Sequence, residues 1–165
     1  MDNPLPGVPA VFDHVAVAGP SIRSLLPLYA DTLGGQFRYG GVNSTVGFRA
    51  VTLGYPDGSK IELLEALPGS GFLDSFLARS GGLGGLHHVT FFVPDLAAAV
   101  ASVEALGLRV FGVTLDDPYW SEAFVHPASN QGVLLQLATP GPHLAEAHSG
   151  RTLEDVLAAT EMLLG

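Results

Sequence analysis

The sequence repeats itself once, and this repeat limits the possible folds more than any other feature. His14, in the segment HVAVAGP, aligns with His88, in HVTFFVP, at a separation of 74 positions, from 14 to 88. Glu62, in KIELL, aligns with Gln136, in LLQLA, at the same separation, from 62 to 136. A repeat of this length predicts two copies of one structural unit, each with too few strands to close a core alone.

Each copy has the pattern of one strand, one helix and three further strands. Alternating and β-branched residues predict the strands, and apolar residues at helical spacing predict the helices. In the first copy these are a strand at 11–19, a helix at 21–33 and strands at about 37–42, 46–55 and 60–67. In the second copy they are a strand at 86–93, a helix at 95–106 and strands at about 109–115, 123–126 and 132–138.

This order predicts an α+β fold of two tandem βαβββ modules within a domain over residues 1–140. Module 1 is expected at about 11–67 and module 2 at about 85–140, joined by a linker at 68–84 with a short helix at 72–79. Residues 141–165 are expected to form a Pro/Gly-rich link followed by a C-terminal helix. That helix has a capping box at Thr152 and Asp155. Its apolar residues are expected to dock on the body or on a second subunit: Leu153, Val156, Leu157, Met162 and Leu163.

Composition excludes several classes of protein. The chain has 165 residues, 47% of them hydrophobic, and 7 Lys+Arg against 16 Asp+Glu, a formal net charge of -9. A surface of this charge repels nucleic acids and anionic membranes. With 0 cysteines, neither a disulfide framework nor a thiolate zinc site is possible. No signal peptide or spanning segment is recognisable, so a soluble cytoplasmic protein is expected.

Four polar residues stand in otherwise apolar strands, at equivalent positions of the two copies. They are His14, Glu62, His88 and Gln136. Singly, each residue of this kind is usually an ordinary core or surface residue. Buried without partners, each would cost several kcal/mol, so their coincidence at one separation favours a shared ion. Imidazole nitrogens with carboxylate and amide oxygens suit Zn, Ni, Co, Mn or Fe(II).

The motifs around these residues resemble the vicinal oxygen chelate superfamily. This superfamily includes glyoxalase I, methylmalonyl-CoA epimerase, extradiol dioxygenases and bleomycin resistance proteins. The resemblance is nearest to epimerase-like and glyoxalase I-like members and covers about residues 11–140. It lies in the segments DHVA at 13–16, GLHHV at 85–89, VPDL at 93–96, FVHP at 124–127 and GVLLQ at 132–136.

The resemblance implies that the two modules form a U-shaped, barrel-like mixed sheet around a central cavity. It also implies a divalent metal ion held by His14, Glu62, His88 and Gln136. In the adjacent pair His87-His88 it selects His88, the residue that aligns with His14. The alternation of a strand agrees, because it places His87 on the opposite face.

Two departures from the epimerase pattern bear on the reaction. Epimerase and glyoxalase sites usually carry a glutamate where this chain has Gln136, and an amide cannot accept a proton. The segment 47–50, where the epimerase has its other base, reads GFRA and contains no carboxylate. A two-base racemising mechanism is therefore not expected. The candidate bases are Glu62, Glu122 and His126, although His126, just before Pro127, could instead cap a turn.

Aromatic and basic residues indicate the kind of substrate. Four aromatic residues could line an apolar pocket or simply belong to the core: Phe48, Phe92, Tyr119 and Trp120. Arg49 could hold a carboxylate group. Basic residues are scarce and do not cluster, so a small or aromatic carbonyl compound fits better than a polyphosphate such as CoA.

These features lead to three functional hypotheses. The first is a metal-dependent, glyoxalase-like lyase or isomerase in which the ion stabilises an enolate-like intermediate as a Lewis acid. The second is an Fe(II) extradiol-type dioxygenase that uses two histidines and one carboxylate. The third is a metal-free protein that binds a drug or metabolite. The resemblance also makes a homodimer possible.

Overall fold

A computed structural model describes residues 8–160 of the chain. Contacts divide the described chain into two compact units. Of the described residues, the first unit contains 14–87 and 145–160, and the second contains 8–13 and 88–144. Met162 and Leu163, which were expected to help dock the C-terminal helix, lie outside the described residues.

Eight strands and five α-helices follow one another along the described chain. They are β1 (Val11–Ala18), α1 (Ile22–Leu26), β2 (Gln36–Asn43), β3 (Phe48–Gly54), β4 (Lys60–Ala66), α2 (Asp74–Arg79), β5 (Gly85–Phe92), α3 (Leu96–Ala105), β6 (Val110–Thr114), β7 (Trp120–Val125), β8 (Leu135–Pro140), α4 (Leu144–His148) and α5 (Leu153–Ala158).

The strands of each unit pair in the same pattern. In the first unit β1 runs parallel to β4, and antiparallel pairing continues from β4 to β3 and β2. In the second unit β5 runs parallel to β8, and antiparallel pairing continues to β7 and β6. Both units therefore have the order βαβββ, and the predicted α+β fold of two tandem modules with a C-terminal helix is confirmed.

A Leu-Gly dipeptide ends the helical segment of each module, at Leu33-Gly34 and at Leu106-Gly107. Gly34 and Gly107 have φ angles of +77° and +78°. Only glycine adopts this left-handed conformation without strain, and it is the residue commonly found just after a helix. The backbone N–H of Gly34 donates to the carbonyl of Ala30, and that of Gly107 donates to the carbonyl of Glu104. The same local requirement therefore explains the same dipeptide in both copies.

Several predicted elements differ from those of the structure. The helix predicted at 21–33 is α-helical only over Ile22–Leu26 and continues as a π-helical turn over Pro27–Thr32, since proline lacks the N–H that an α-helix needs. Strand β7 begins at Trp120 instead of Ala123, because antiparallel pairing with β8 reaches as far as Pro140. The segment predicted as a link contains the short helix α4.

The core of the first unit fixes the C-terminal helix. Helix α5 buries Val156 and Leu157 against Ile22 of α1 and against β3 and β4, with Leu153 packed beside them. Thr152 and Asp155 form the predicted capping box. The expected docking of these described residues on the body is thus confirmed. Among the residues that the structure describes, no helix is both long and apolar enough to cross a membrane.

Candidate metal centre

In the first unit the predicted ligands His14 and Glu62 lie together. The Nε2 atom of His14 is 3.7 Å from Oε2 of Glu62, and their side chains are 3% and 17% exposed. Ala16 of β1 is the register partner of Glu62 in β4, and His14 lies two residues before Ala16 on the same strand face. The parallel pairing of the first and last strands of the module therefore brings the two side chains together.

The second unit repeats this register. Thr90 of β5 is the register partner of Gln136 in β8, and His88 lies two residues before Thr90. His88 and Gln136 are both 6% exposed. Each unit therefore places a buried histidine of its first strand near a polar residue of its last strand, in the same register. We call each of these pairs, His14 with Glu62 and His88 with Gln136, a half-site.

Gln136 is held in a chain of hydrogen bonds inside the second unit. Thr90 Oγ1 donates to Gln136 Oε1 at 2.6 Å. Gln136 Nε2 donates to Glu122 Oε2, also at 2.6 Å, and Trp120 Nε1 donates to the same carboxylate oxygen at 2.9 Å. Glu122, a candidate base, is thus the direct neighbour of a candidate ligand. This contact could not be predicted from the sequence, because the predicted strand began at Ala123, one residue after Glu122.

His126 has a structural role in this fold. Its Nδ1 atom accepts a hydrogen bond of 3.0 Å from the backbone N–H of Ala128, at the start of a 3₁₀ turn over Pro127–Ser129. Its ring also packs edge-to-face on Phe111, with centroids 5.4 Å apart. The structure therefore shows the alternative in which this histidine caps a turn.

The predicted pocket aromatics divide between the two units. In the second unit Phe92 packs edge-to-face on Trp120, with centroids 5.6 Å apart, next to the Trp120–Glu122 hydrogen bond. Tyr119 lies 6.3 Å from the His143 ring. In the first unit Phe48 stacks on Phe72 at 4.9 Å, inside a cluster with Ala16 and Ala18. Phe92 and Trp120 thus lie beside the second half-site, and Phe48 packs with the residues that follow His14 on its strand.

Arg49 is used inside the fold of the first unit. It is 7% exposed, its Nη1 donates to Glu65 Oε1, and its Nη2 donates to the carbonyl of Ala159. Glu65 Oε2 also accepts a hydrogen bond of 2.6 Å from the backbone N–H of Ile22. Burial lowers the pKa of Arg49 from its ordinary value. Arg49 therefore connects the residue that follows α5, Ala159, with Glu65, which in turn binds the start of α1. The contact of Arg49 with a substrate carboxylate stays a prediction.

His87 lies in an apolar setting. Its ring packs edge-to-face on Phe76, with centroids 5.0 Å apart, and lies 6.1 Å from the ring of Phe72. Burial lowers the pKa of His87, and the carboxylate of Glu62 opposes this shift. The neutral imidazole is therefore the favoured form of His87.

A depression of the first unit is separate from these half-sites. It encloses about 800 Å³, part of it open to solvent, between residues 44–47 and 67–70. None of the predicted ligands, bases or pocket residues lines it. Its walls are mostly small polar residues and turn backbone, so we do not assign the chemistry to it.

Known proteins are similar to this chain in sequence and in fold. The family described as the Glyoxalase/Bleomycin resistance protein/Dioxygenase superfamily matches residues 13–124. The mitochondrial methylmalonyl-CoA epimerase of Dictyostelium discoideum is 29% identical over 127 residues, which cover 76% of this chain and 75% of that protein. The crystal structure of methylmalonyl-CoA epimerase from Mycobacterium tuberculosis has a TM-score of 0.70 and 27% identity, over 82% of this chain and 91% of that one. A methylmalonyl-CoA epimerase in complex with methylmalonyl-CoA and NH4+ has a TM-score of 0.68 and 26% identity, over 82% and 97% of the two chains.

Proposed function

The chain belongs to the Glyoxalase/Bleomycin resistance protein/Dioxygenase superfamily, and we propose that it is a metal-dependent isomerase. It removes a proton from the carbon beside a carbonyl group of its substrate and then returns a proton to the resulting enolate. The resemblance found in the sequence is confirmed by this membership. Of the predicted enzyme classes, lyase or isomerase, the epimerase relatives confirm the isomerase. The substrate and the assignment of each residue belong to the proposal.

The repetition of the half-site is the observation that carries the proposal. His14 with Glu62 and His88 with Gln136 occupy the same register positions in their units. We propose that one divalent ion takes all four as ligands. The short distance between the His14 nitrogen and the Glu62 oxygen supports it, since two such atoms can share one cation.

The donor set fits such an ion. His14, His88 and Glu62 offer two imidazole nitrogens and a carboxylate oxygen, and Gln136 offers an amide oxygen. These ligands suit Zn, Ni, Co, Mn or Fe(II). When bound, the ion supplies Lewis-acid stabilisation of negative charge on a substrate oxygen. The ligands themselves keep the ion in place and contribute one formal negative charge, that of Glu62.

We assign the proton transfer to Glu122. It is a carboxylate on β7 whose Oε2 atom accepts hydrogen bonds from Gln136 and Trp120. Oε1 of Glu122 is the atom assigned to the proton. It takes the proton from the carbon beside the carbonyl, and the C–H electron pair moves into the carbonyl to give an enolate. In a thioester the proton returns to the carbon that it left; in an α-hydroxy carbonyl compound it goes to the former carbonyl carbon, and the hydroxyl proton passes to the oxygen of that carbon. A single base performs both transfers, in keeping with the absence of a carboxylate in residues 47–50.

The proposed substrate is a small acyl compound, either a free carbonyl compound or a thioester. The solved relative with methylmalonyl-CoA supports the thioester. The scarcity of basic residues favours the smaller compounds, because phosphate groups are best held by Arg and Lys. Phe92 and Trp120 would contact the apolar part of the substrate.

Deuterium exchange tests this proposal. The metal-loaded protein is incubated in D2O with methylmalonyl-CoA, with its short pantetheine analogue and with a panel of free α-hydroxy and α-keto carbonyl compounds, and mass spectrometry follows deuterium beside the carbonyl. Exchange that depends on added metal and falls at least about 100-fold in Glu122→Gln, the loss typical of a removed general base, is expected. Glu104→Gln, the same change on the exposed face of α3, should keep full exchange. No exchange with any compound of the panel would contradict the proposal.

A second candidate function is oxygen chemistry. Two histidines and one carboxylate are the ligand set of many non-haem Fe(II) oxygenases, and His14, His88 and Glu62 provide it. Oxygen uptake with a catechol, seen only when Fe(II) is supplied, would favour this candidate. Deuterium exchange without oxygen uptake would exclude it.

A further inference from the structure

We propose that Thr90 is a positioning residue and that Glu122, besides the proton transfer assigned to its Oε1 atom, has a second role through Oε2. Together they turn the Gln136 amide so that its carbonyl oxygen faces the metal, and Glu122 supplies the charge that a glutamine ligand lacks. The inference rests on the proposed function in one respect, since it takes Gln136 as a ligand. The hydrogen bonds that support it lie entirely within the second unit.

The Glu122 carboxylate decides which way the amide points. An ionised carboxylate only accepts hydrogen bonds, so it can face the Gln136 amino group but not the carbonyl oxygen. The N–H donated at 2.6 Å to Glu122 Oε2 therefore fixes Nε2 toward β7. Oε1 must then point the other way, toward β5.

Thr90 selects the same orientation from the other side. Its hydroxyl donates to Gln136 Oε1 at 2.6 Å, and Thr90 is fully buried. Thr90 and His88 are two residues apart on β5 and share a face. The amide oxygen is thus directed at the strand that carries the proposed histidine ligand. A carbonyl oxygen has two lone pairs, so it can accept from Thr90 and still bind an ion.

The position of Glu122 also restores charge. With Glu62 as the one carboxylate ligand, the ligands carry a formal charge of -1 against the +2 of the ion. A second carboxylate 2.6 Å from the ligand amide lowers the remaining positive charge without joining the ligands. Trp120 Nε1, which donates to the same oxygen, holds the carboxylate in this place.

Zinc affinity tests the inference separately from catalysis. Zn²⁺ dissociation constants are measured by competition with a chromophoric chelator for the wild type, Glu122→Gln, Thr90→Val and Glu104→Gln. Loss of a partner that orients a ligand typically weakens metal binding about 10- to 100-fold, and we expect this for Glu122→Gln. A smaller loss is expected for Thr90→Val, and Glu104→Gln should stay within about twofold of the wild type. Equal affinity for Glu122→Gln and Glu104→Gln would overturn the inference.

A charge exchange sharpens the test. Gln136→Glu alone places two carboxylates side by side and should lower the melting temperature of the metal-free protein. The double variant Glu122→Gln with Gln136→Glu restores one donor and one carboxylate, so its zinc affinity should recover to that of the wild type or better. A double variant as weak as Glu122→Gln alone would contradict the charge argument.

Side-chain amide NMR tests the orientation without metal. The NH2 resonances of Gln136, identified by their loss in Gln136→Glu, should be shifted and slow to exchange in the wild type. In Glu122→Gln, which removes the charged acceptor, they should lose most of this shift. If the wild type binds no zinc, the proposed function fails while this spectrum still decides the orientation. Unchanged resonances in Glu122→Gln would overturn the orientation as well.

Discussion

The Nε2 atom of His14 lies 3.7 Å from Oε2 of Glu62 across the parallel strands β1 and β4. The two side chains are mostly buried, and burying a carboxylate without compensation costs several kcal/mol. A divalent cation bound by both atoms would compensate this cost. The second unit repeats the register without the carboxylate, which stands instead at Glu122.

Replacing Glu65 should destabilise the first unit strongly. Glu65→Ala leaves Arg49 buried without its carboxylate and leaves the Ile22 N–H without its acceptor. Breaking a buried ion pair in this way typically costs about 3–5 kcal/mol of the free energy of unfolding. Urea denaturation, monitored by circular dichroism, measures the change.

Two controls separate the buried pair from charge loss in general. Glu154→Ala breaks the exposed contact with Arg23 and should change stability little. The double variant Arg49→Met with Glu65→Leu removes both charges and should recover most of the loss. A Glu65→Ala protein as stable as Glu154→Ala would contradict the role assigned to this pair.

Replacing His126 should affect stability but not proton transfer. His126→Ala removes the Nδ1 acceptor that caps the 3₁₀ turn, and the loss of a cap costs about 1 kcal/mol. His126→Asn keeps a side-chain acceptor and should restore most of that stability. Deuterium exchange in both variants should match the wild type. If the exchange rate of fully metal-loaded protein falls equally in His126→Ala and His126→Asn, His126 is a base in the reaction and the structural assignment is contradicted.

Acid should weaken the packing of α4 through His148. Its ring packs on Tyr39, with centroids 4.9 Å apart. Burial lowers the pKa of His148 below the ordinary 6.5, and the charge of Arg151 lowers it further. A hydrogen bond with the Gly40 backbone opposes this shift. The unfolded chain therefore binds the proton more readily. The contribution of His148 to stability is complete above pH 6.5 and is lost as pH falls through the lower pKa of the folded state.

The comparison of wild type with His148→Gln isolates this effect from the other histidines. Urea denaturation at a series of pH values on both sides of 6.5 gives the free energy of unfolding of each protein. The wild type should lose more stability toward acid than the variant. Parallel curves for the two proteins would show that the protonation of His148 is not coupled to folding.

The features that could be predicted from the sequence are those that the internal repeat places at equivalent positions in the two modules. Aligned letters in two copies place His14 with His88 and Glu62 with Gln136, and strand pairing within each module then brings the members of each half-site to equivalent positions. The dipeptides at Gly34 and Gly107 are predictable for a similar reason, because only glycine readily takes the positive φ that ends each helical segment.

The sequence could not predict contacts that depend on a shift of one or two residues. Glu122 faces Gln136 only because β7 begins at Trp120, so that Glu122 pairs with Ala138 beside the glutamine. Arg49 meets Glu65 because antiparallel pairing makes them register partners, and a single arginine in a strand gives no sign of this. A proline inside a helical pattern indicates a break in α-helical hydrogen bonding, but it does not reveal that the chain continues as a π-helical turn over Pro27–Thr32.

The metal content of the purified protein tests the central claim most directly. Elemental analysis is made on protein prepared without chelators, for the wild type, His14→Ala, His88→Ala and the exposed control His143→Ala, each checked for folding by circular dichroism. We predict about one divalent ion per chain in the wild type and in His143→Ala, and less than about a tenth of that in the two ligand variants. A metal-free wild type that catalyses full deuterium exchange, or ligand variants that keep the ion, would contradict the account.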